Sequence, residues 1–488
     1  MSRRIFLAVS TVLLFCGFYW NAWRVADGQW FDGFKRDSES HILGRMLKSR
    51  RDGVFSAGGL TGLVARCSGS PPTARHAPDD WVCSDLVRPA SGGALHLRAR
   101  RGEWPSRELA KFQYLAYSRN LRFNVYAVYM SQVGGQGIAF SLIDRWLPLP
   151  PGARYKTYRV LTALLMAIAL TLVVRWFHAE LGLGAALCAL ASGLLSQWLT
   201  GFAKNLWWST WAFFLPMVAV MLFLERARRD GRGFDAKLGT VAFAGVLAKC
   251  LANGYEFVTA VLVMMVVPFV FHAVRRKIGL RAAVAGLLAA ASGAALAVFT
   301  SLAILCLQIG SLGGGWSRGI EEIRSALVSR THPDAARSQD ELREVPKAGT
   351  LEVVSDYLGG SFLGFGPRQA SSTTAFPKRA LEIPYALLVG VFGVASGLLE
   401  RGRRGLPEEE RRRDLALQAA LWFSLLAPLS WFVVFTAHAG GHLHLDYIVW
   451  QMPFTFFGFA ACGRAVERHV LERWRGRSAD RPRGPREA

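Results

Sequence analysis

Apolar positions along this chain do not alternate with polar ones; they come in blocks. Ten blocks approach the ~20 residues that a helix needs to cross a hydrocarbon layer. They fall at about 5–23, 157–174, 183–199, 209–224, 238–253, 257–272, 282–307, 382–399, 415–437 and 447–462. This patterning predicts an all-α polytopic membrane protein with about ten transmembrane helices. Polar stretches divide the chain into a first anchor at 1–23, a large loop at 24–156 and helices two to seven within 157–307. A second long loop follows at 308–381, then helices eight to ten within 382–462 and a basic tail at 463–488. The first block follows Met1-Ser2-Arg3-Arg4, and its exit Asn21-Ala22-Trp23-Arg24 offers no small-residue cleavage site, so a retained anchor is expected.

Composition sharpens this reading. Apolar residues make up 52% and charged residues 19%, which excludes a disordered basic chain. The formal net charge is +23, and its placement matters more than its size. With the N-terminus in the cytoplasm, Arg175, Arg226, Arg228, Arg229, Arg275, Arg276, Lys277, Arg401, Arg411, Arg412 and Arg413 all fall on the cytoplasmic side. The opposite short loops carry only Lys204. That asymmetry is the positive-inside bias, and it accounts for the charge through topology and anionic lipid rather than nucleic acid. Both long loops then lie outside. Cys67 and Cys83 fall in the first of them, in an oxidising compartment, so a disulfide and two separate thiols are both compatible with the sequence.

The chemistry-bearing motifs collect on that outer side. Asp37-Ser38-Glu39-Ser40-His41 precedes a stretch in which Ile42, Leu43, Met46 and Leu47 share one face and Arg45, Lys48, Arg50 and Arg51 another. It reads as a helix lying at the membrane surface, with Asp37 or Ser38 as its N-cap. Asp37 or Glu39 could serve there as a general base, with Asp32 as a further carboxylate, although capping alone explains an Asp-Ser start. Ser131-Gln132-Val133-Gly134-Gly135-Gln136-Gly137 is a tight polar turn whose amides Gln132 and Gln136 suit sugar hydroxyls or phosphate. Lys204-Asn205-Leu206-Trp207-Trp208 offers a cation for a bound anion, and Asn205 a further polar contact. Gly254-Tyr255-Glu256-Phe257 places Tyr255 and the carboxylate of Glu256 almost within the apolar region, either as a functional group or as a pair with Lys249 or Lys204. Finally, His438, His442, His444 and Asp446 lie within nine residues, which fits a metal site, a phosphate or sugar contact, or a plain interfacial turn. The second long loop adds Arg318, Glu321, Glu322, Arg324 and Arg330, a solvated face or a cover over a site.

Together the topology and these motifs resemble the GT-C class of glycosyltransferases across about the whole chain. Asp37-Ser38-Glu39, Ser131–Gly137, Lys204–Trp208, Gly254–Phe257 and His442–Tyr447 look like a bacterial branch akin to pilin-modifying arabinofuranosyltransferases. The resemblance implies a polyprenyl-phosphate sugar donor, a glycan or protein acceptor, a multi-pass place in the bacterial inner membrane and a site facing the periplasm or exterior. It also implies Asp37 or Glu39 as catalytic base and Lys204, His442 and His444 as phosphate contacts. It fixes no cofactor; metal dependence varies within the class, and a divalent cation stays open. Many members carry an adjacent Asp-Asp or Asp-Glu pair in the first loop where this chain has Asp-Ser-Glu, so the base is not assigned between the two carboxylates. A polysaccharide polymerase or ligase, holding its glycans through Arg318, Arg324 and Arg330, and a lipid-linked-sugar flippase or transporter are the rival readings.

Overall fold

The structure is a computed structural model that describes residues 3–65, 80–85, 95–100, 107–230, 237–331, 349–368, 379–403, 406–442 and 445–471. In chain order, α1 (Arg3–Trp20) and α2 (Gly28–Asp52) lead to β1 (Gly62–Ala65), β2 (Asp80–Asp85), β3 (Leu95–Arg100), α3 (Arg107–Arg119), β4 (Val125–Val128) and α4 (Gly135–Trp146). Next come α5 (Pro151–Leu181), α6 (Leu183–Leu195), α7 (Gln197–Phe202), α8 (Trp211–Arg229), α9 (Lys237–Asn253), α10 (Val258–Arg275), α11 (Leu280–Gly310) and α12 (Gly315–Thr331). The chain closes with α13 (Thr350–Gly359), β5 (Ser361–Arg368), β6 (Arg379–Pro384), α14 (Tyr385–Arg401), α15 (Glu408–Ser424), α16 (Leu426–Val434), α17 (Thr436–Gly441) and α18 (Phe454–Val466). The strands form three antiparallel pairs, β1 with β4, β2 with β3 and β5 with β6.

The protein is nearly all helix, and each of the ten apolar blocks lies on one to three helices. Among the described residues, α5, α10, α11 and the near-continuous α15–α16 are long and apolar enough to cross a membrane, while α1 and α6 are apolar but shorter. Outward faces carry large exposed apolar side chains, such as Leu288, Leu296 and Phe299 on α11 and Leu387, Val391 and Val394 on α14. Water does not tolerate such continuous faces, and they mark a membrane-embedded protein. Local chemistry sets several boundaries. α5 opens on Pro151 in its first turn and stops at Gly182, whose φ of 101° suits glycine. The tenth block begins instead as a 3₁₀ turn over Asp446–Gln451, and α18 starts just after Pro453, whose missing N–H costs nothing at a helix start.

Small residues let helices approach to backbone contact. A Cβ on Gly463 of α18 would collide with the Gly184 carbonyl of α6, and one on Gly293 of α11 with the Gly239 carbonyl of α9. At one end of the bundle the helix termini meet in a layer of ion pairs. Glu180 lies between Arg228 and Arg275, Glu225 between Arg175 and Arg229, and Asp414 between Arg464 and Arg468.

The first loop departs from its expected surface helix. α2 starts at Gly28, so Asp37 and Ser38 lie within the helix rather than capping it. Its apolar face (Ile42, Leu43, Met46 and Leu47) is fully buried against Phe112 and Ala116 of α3, Val64 of β1 and Phe140 of α4. Arg45 is also fully buried. Its guanidinium donates to the carbonyls of Gly53, Val54, Ser56 and Leu60, which fold back over the end of α2. The positive face is therefore partly a fastening. The side chain of Asp37 and the Cys67–Cys83 pair lie outside the described residues.

Candidate functional site

At the other end of the bundle, α2 meets the 204–209 loop. Glu39 is buried there, and its carboxylate accepts from the Tyr114 hydroxyl at 2.9 Å, the Tyr155 hydroxyl at 2.6 Å and the Leu206 N–H at 2.9 Å. Burial, together with the Glu39 charge, pushes the Tyr114 hydroxyl well above its usual range, so it stays a donor. Three donors commit this carboxylate to holding the loop onto α2. Ser38 accepts from Asn205 at 3.0 Å, and the Asn205 side-chain carbonyl accepts from the N–H groups of Trp207 and Trp208. Asn205 thus shapes the turn. Lys204 is held in place: its ammonium donates to the Tyr19 carbonyl at 2.6 Å and rests over the Tyr19 ring. That carbonyl belongs to the last turn of α1, where no intrahelical partner is left for it.

One turn along α2 from Ser38, His41 packs between Tyr129 and Trp207, with ring centroids 5.1 and 5.0 Å away. Burial pushes its pKa down to about 3, so it is neutral at physiological pH. Tyr129 in turn stands close to Arg330 of α12, which belongs to a second cluster. Arg330 pairs with Glu256 at 3.3 Å, and His438 approaches the same carboxylate at 3.6 Å. Burial alone would raise Glu256, but the Arg330 charge and the neighbouring His438 and His442 rings hold it well below the usual carboxylate range. His438 and His442 stack at 4.1 Å, and Nδ1 of His442 lies 3.0 Å from the His438 carbonyl oxygen. Asp446 is buried, accepts from the Trp431 indole N–H at 2.7 Å, and is driven well above its usual range by burial.

The backbone around Glu256 is tightly held. Lys249 donates to the carbonyls of Gly254 at 2.8 Å and Glu256 at 2.6 Å. The ion-pair partners of Glu256 are therefore Arg330 and His438, not Lys249 or Lys204. Gly254 has a φ of +61°, and Gln132 packs where a Cβ would stand. Tyr255 turns away toward α11, where its hydroxyl accepts from Ser301 at 3.2 Å. Gln132 and Gln136 are both buried, and Nε2 of Gln132 and Oε1 of Gln136 have no partner among the described residues. Nε2 of Gln136 reaches the Trp207 carbonyl at 3.4 Å. Buried polar atoms left in this state cost about 1–3 kcal/mol each, a cost that a polar ligand would relieve.

The geometry thus brings Gln132, Gln136, Glu256, His438, His442 and Asp446 to one end of the bundle, and sets Glu39, Lys204, Asn205 and Tyr255 to structural tasks around it. His444 lies outside the described residues, and among those described no three His, Cys, Asp or Glu side chains form a metal-ligand group. Arg330, Tyr129 and Trp207 are the residues that sequence reasoning did not place in the site. Arg330 ends an amphipathic helix of the second long loop, and no local signal separates it from its solvated neighbours. Comparisons with protein-family models, curated proteins and solved structures find no match.

Proposed function

We propose that this chain is an integral membrane glycosyltransferase of the bacterial inner membrane, about ten helices deep, with its N-terminus and ion-pair layer in the cytoplasm. It moves a sugar from a polyprenyl-phosphate carrier to an envelope glycan or glycoprotein on the extracytoplasmic face. The observation that carries this reading is the cluster of Glu256, Arg330, His438 and His442 beside the unpartnered amides of Gln132 and Gln136, at the end of a bundle of apolar helices. A lipid-linked substrate needs both an apolar wall for its tail and a cationic polar pocket for its phosphate.

Arg330 gives one N–H of its terminal nitrogen to Glu256, and a guanidinium has five donors. The others, with His438 and His442, hold the carrier phosphate and neutralise the charge that grows as it leaves. Gln132 and Gln136 bind sugar hydroxyls. Asp37, on the same helix as the anchored Glu39, takes the proton of the acceptor hydroxyl as that oxygen attacks the anomeric carbon. The bond from carbon to phosphate oxygen breaks, polyprenyl phosphate departs, and the anomeric configuration inverts. Glu39 is then a positioning residue, since Tyr114, Tyr155 and the Leu206 N–H engage about three of its four lone pairs. Purified protein incubated with labelled polyprenyl-phosphate sugars and envelope acceptor should transfer label, and Asp37→Asn should abolish transfer with folding intact. Vectorial movement of the carrier without transfer would replace this reading with a transporter.

A further inference from the structure

The far end of α2 forms a second polar cavity, of about 350 Å³, which the proposed chemistry does not use. It lies between the last turn of α2 and the turn that follows α3. That turn has a sequence cause. Asn120 takes a left-handed φ of 52°, and the Leu121 N–H reaches back to the Ala116 carbonyl at 3.0 Å, closing α3 in the manner of a Schellman cap. The chain then presents Leu121, Arg122 and Phe123 to the cavity, opposite Leu47, Arg50 and Arg51.

Cations outnumber carboxylates here. Lys48 and Arg51 both pair with Asp52, and Arg50 and Arg154 both pair with Asp144. Arg122 is exposed and makes no hydrogen bond or ion pair among the described residues, and neither does the Asn120 side chain. The two α2 arginines are held in place: Arg51 lies 3.9 Å over the Phe123 ring and donates to the Phe123 carbonyl, while Arg50 lies 4.3 Å over the Tyr117 ring. A preorganised guanidinium with spare donors suits a planar carboxylate or a phosphate ester. Leu47, Leu121 and Phe123 supply an apolar floor on which a sugar ring can rest.

We propose that this cavity is an acceptor subsite for an acidic saccharide, one bearing carboxylate or phosphate ester groups. The inference deepens the glycosyltransferase reading and rests on it for the word acceptor. α2 links the two places: Asp37 and Glu39 stand near its middle, and Arg50 and Arg51 in its last turn. From Asp37 to these arginines, at 1.5 Å per residue, the separation is roughly 20 Å along the helix. A ligand touching both is therefore an extended chain, with its reacting hydroxyl near Asp37 and its anionic residues in the arginine cavity.

The full-length protein in neutral detergent tests this by equilibrium binding of tri-galacturonic acid, its carboxyl-reduced neutral counterpart, and vesicles with or without anionic lipid. Expected results are binding of the acidic trisaccharide that weakens with added salt, at least tenfold weaker binding to the neutral one, and at least a tenfold loss in Arg122→Glu. Arg122 is exposed, so this variant folds, and Asn120→Ala serves as a milder second probe. Equal binding of acidic and neutral sugars, an unchanged Arg122→Glu, or an Arg122-dependent response to anionic vesicles alone would overturn the proposal. The readout needs no catalysis: binding should survive in Asp37→Asn, so loss of transfer and loss of this subsite are separate results.

Discussion

The two ends of the helix bundle hold charge in different ways. At the end with the ion-pair layer, Glu180, Glu225 and Asp414 each have two guanidinium partners. At the other end, Glu256 shares one arginine with a histidine, Asp446 has an indole N–H as its donor, and two buried amides have unpartnered atoms. Paired charges between helix termini fasten the bundle. Both ends also hold buried polar atoms with no partner among the described residues, both ring nitrogens of His272 at the first and the Gln132 and Gln136 amides at the second, so the contrast rests on the carboxylate shared by an arginine and a histidine pair.

The largest test sets one end against the other. Glu180→Gln leaves Arg228 and Arg275 without their buried counter-ion, so stability should fall by about 3–5 kcal/mol, with transfer per folded molecule unchanged. Glu256→Gln also strands a guanidinium, that of Arg330, so some stability is lost with it, but here kcat/KM per folded molecule drops about 100-fold, roughly 2.7 kcal/mol of transition-state stabilisation. Thermal unfolding and single-substrate kinetics on both variants decide it, and an unchanged kcat/KM in Glu256→Gln would erase the distinction between the ends.

Next in size is Asp446. Asp446→Ala strands the Trp431 N–H and should cost about 1–3 kcal/mol, whereas Asp446→Asn keeps an acceptor and should cost much less. The pH dependences carry opposite signs. Glu256 is held below its ordinary value, so its contribution to stability is present above that value of 4.5 and is lost as pH falls. Asp446 is held above its ordinary 3.8, so its contribution is present at low pH and is lost as pH rises through the elevated pKa. Unfolding of wild type and Asp446→Asn across about pH 5 to 9 should therefore diverge on the alkaline side; parallel curves would show that Asp446 does not titrate there.

A smaller effect is expected at Gln136. Gln136→Leu removes the unpartnered atom and should leave stability unchanged or slightly higher, while donor affinity falls about tenfold, or 1.4 kcal/mol. Smallest of all, Lys204→Met should cost about 0.3–1 kcal/mol through the loss of a cation at the end of α1. Donor affinity should be unaffected, and a weaker donor Kd in this variant would return Lys204 to the site.

Much of the fold was legible because apolar runs report locally. A backbone in hydrocarbon must satisfy its own hydrogen bonds, so a long apolar block becomes a helix whatever surrounds it. The arginines grouped by the charge rule duly sit at one end of the bundle, and Pro and Gly mark where helices start and stop. The polar motifs were legible as motifs, but not as roles. Lys204 looked like an anion binder and is engaged by the Tyr19 carbonyl. Glu39 looked like a base and is held by donors from two other helices. Arg45 looked solvated and is buried among carbonyls.

Taken alone, the sequence determined that the chain is nearly all helix and where its long apolar helices run, because these depend on neighbours a few residues away. Only the tertiary structure decided that Arg330 meets Glu256 across 74 residues and that Tyr155 meets Glu39 across 116. A carboxylate acquires its partner, its protonation and hence its task from whichever helices pack beside it, and no local pattern encodes that choice.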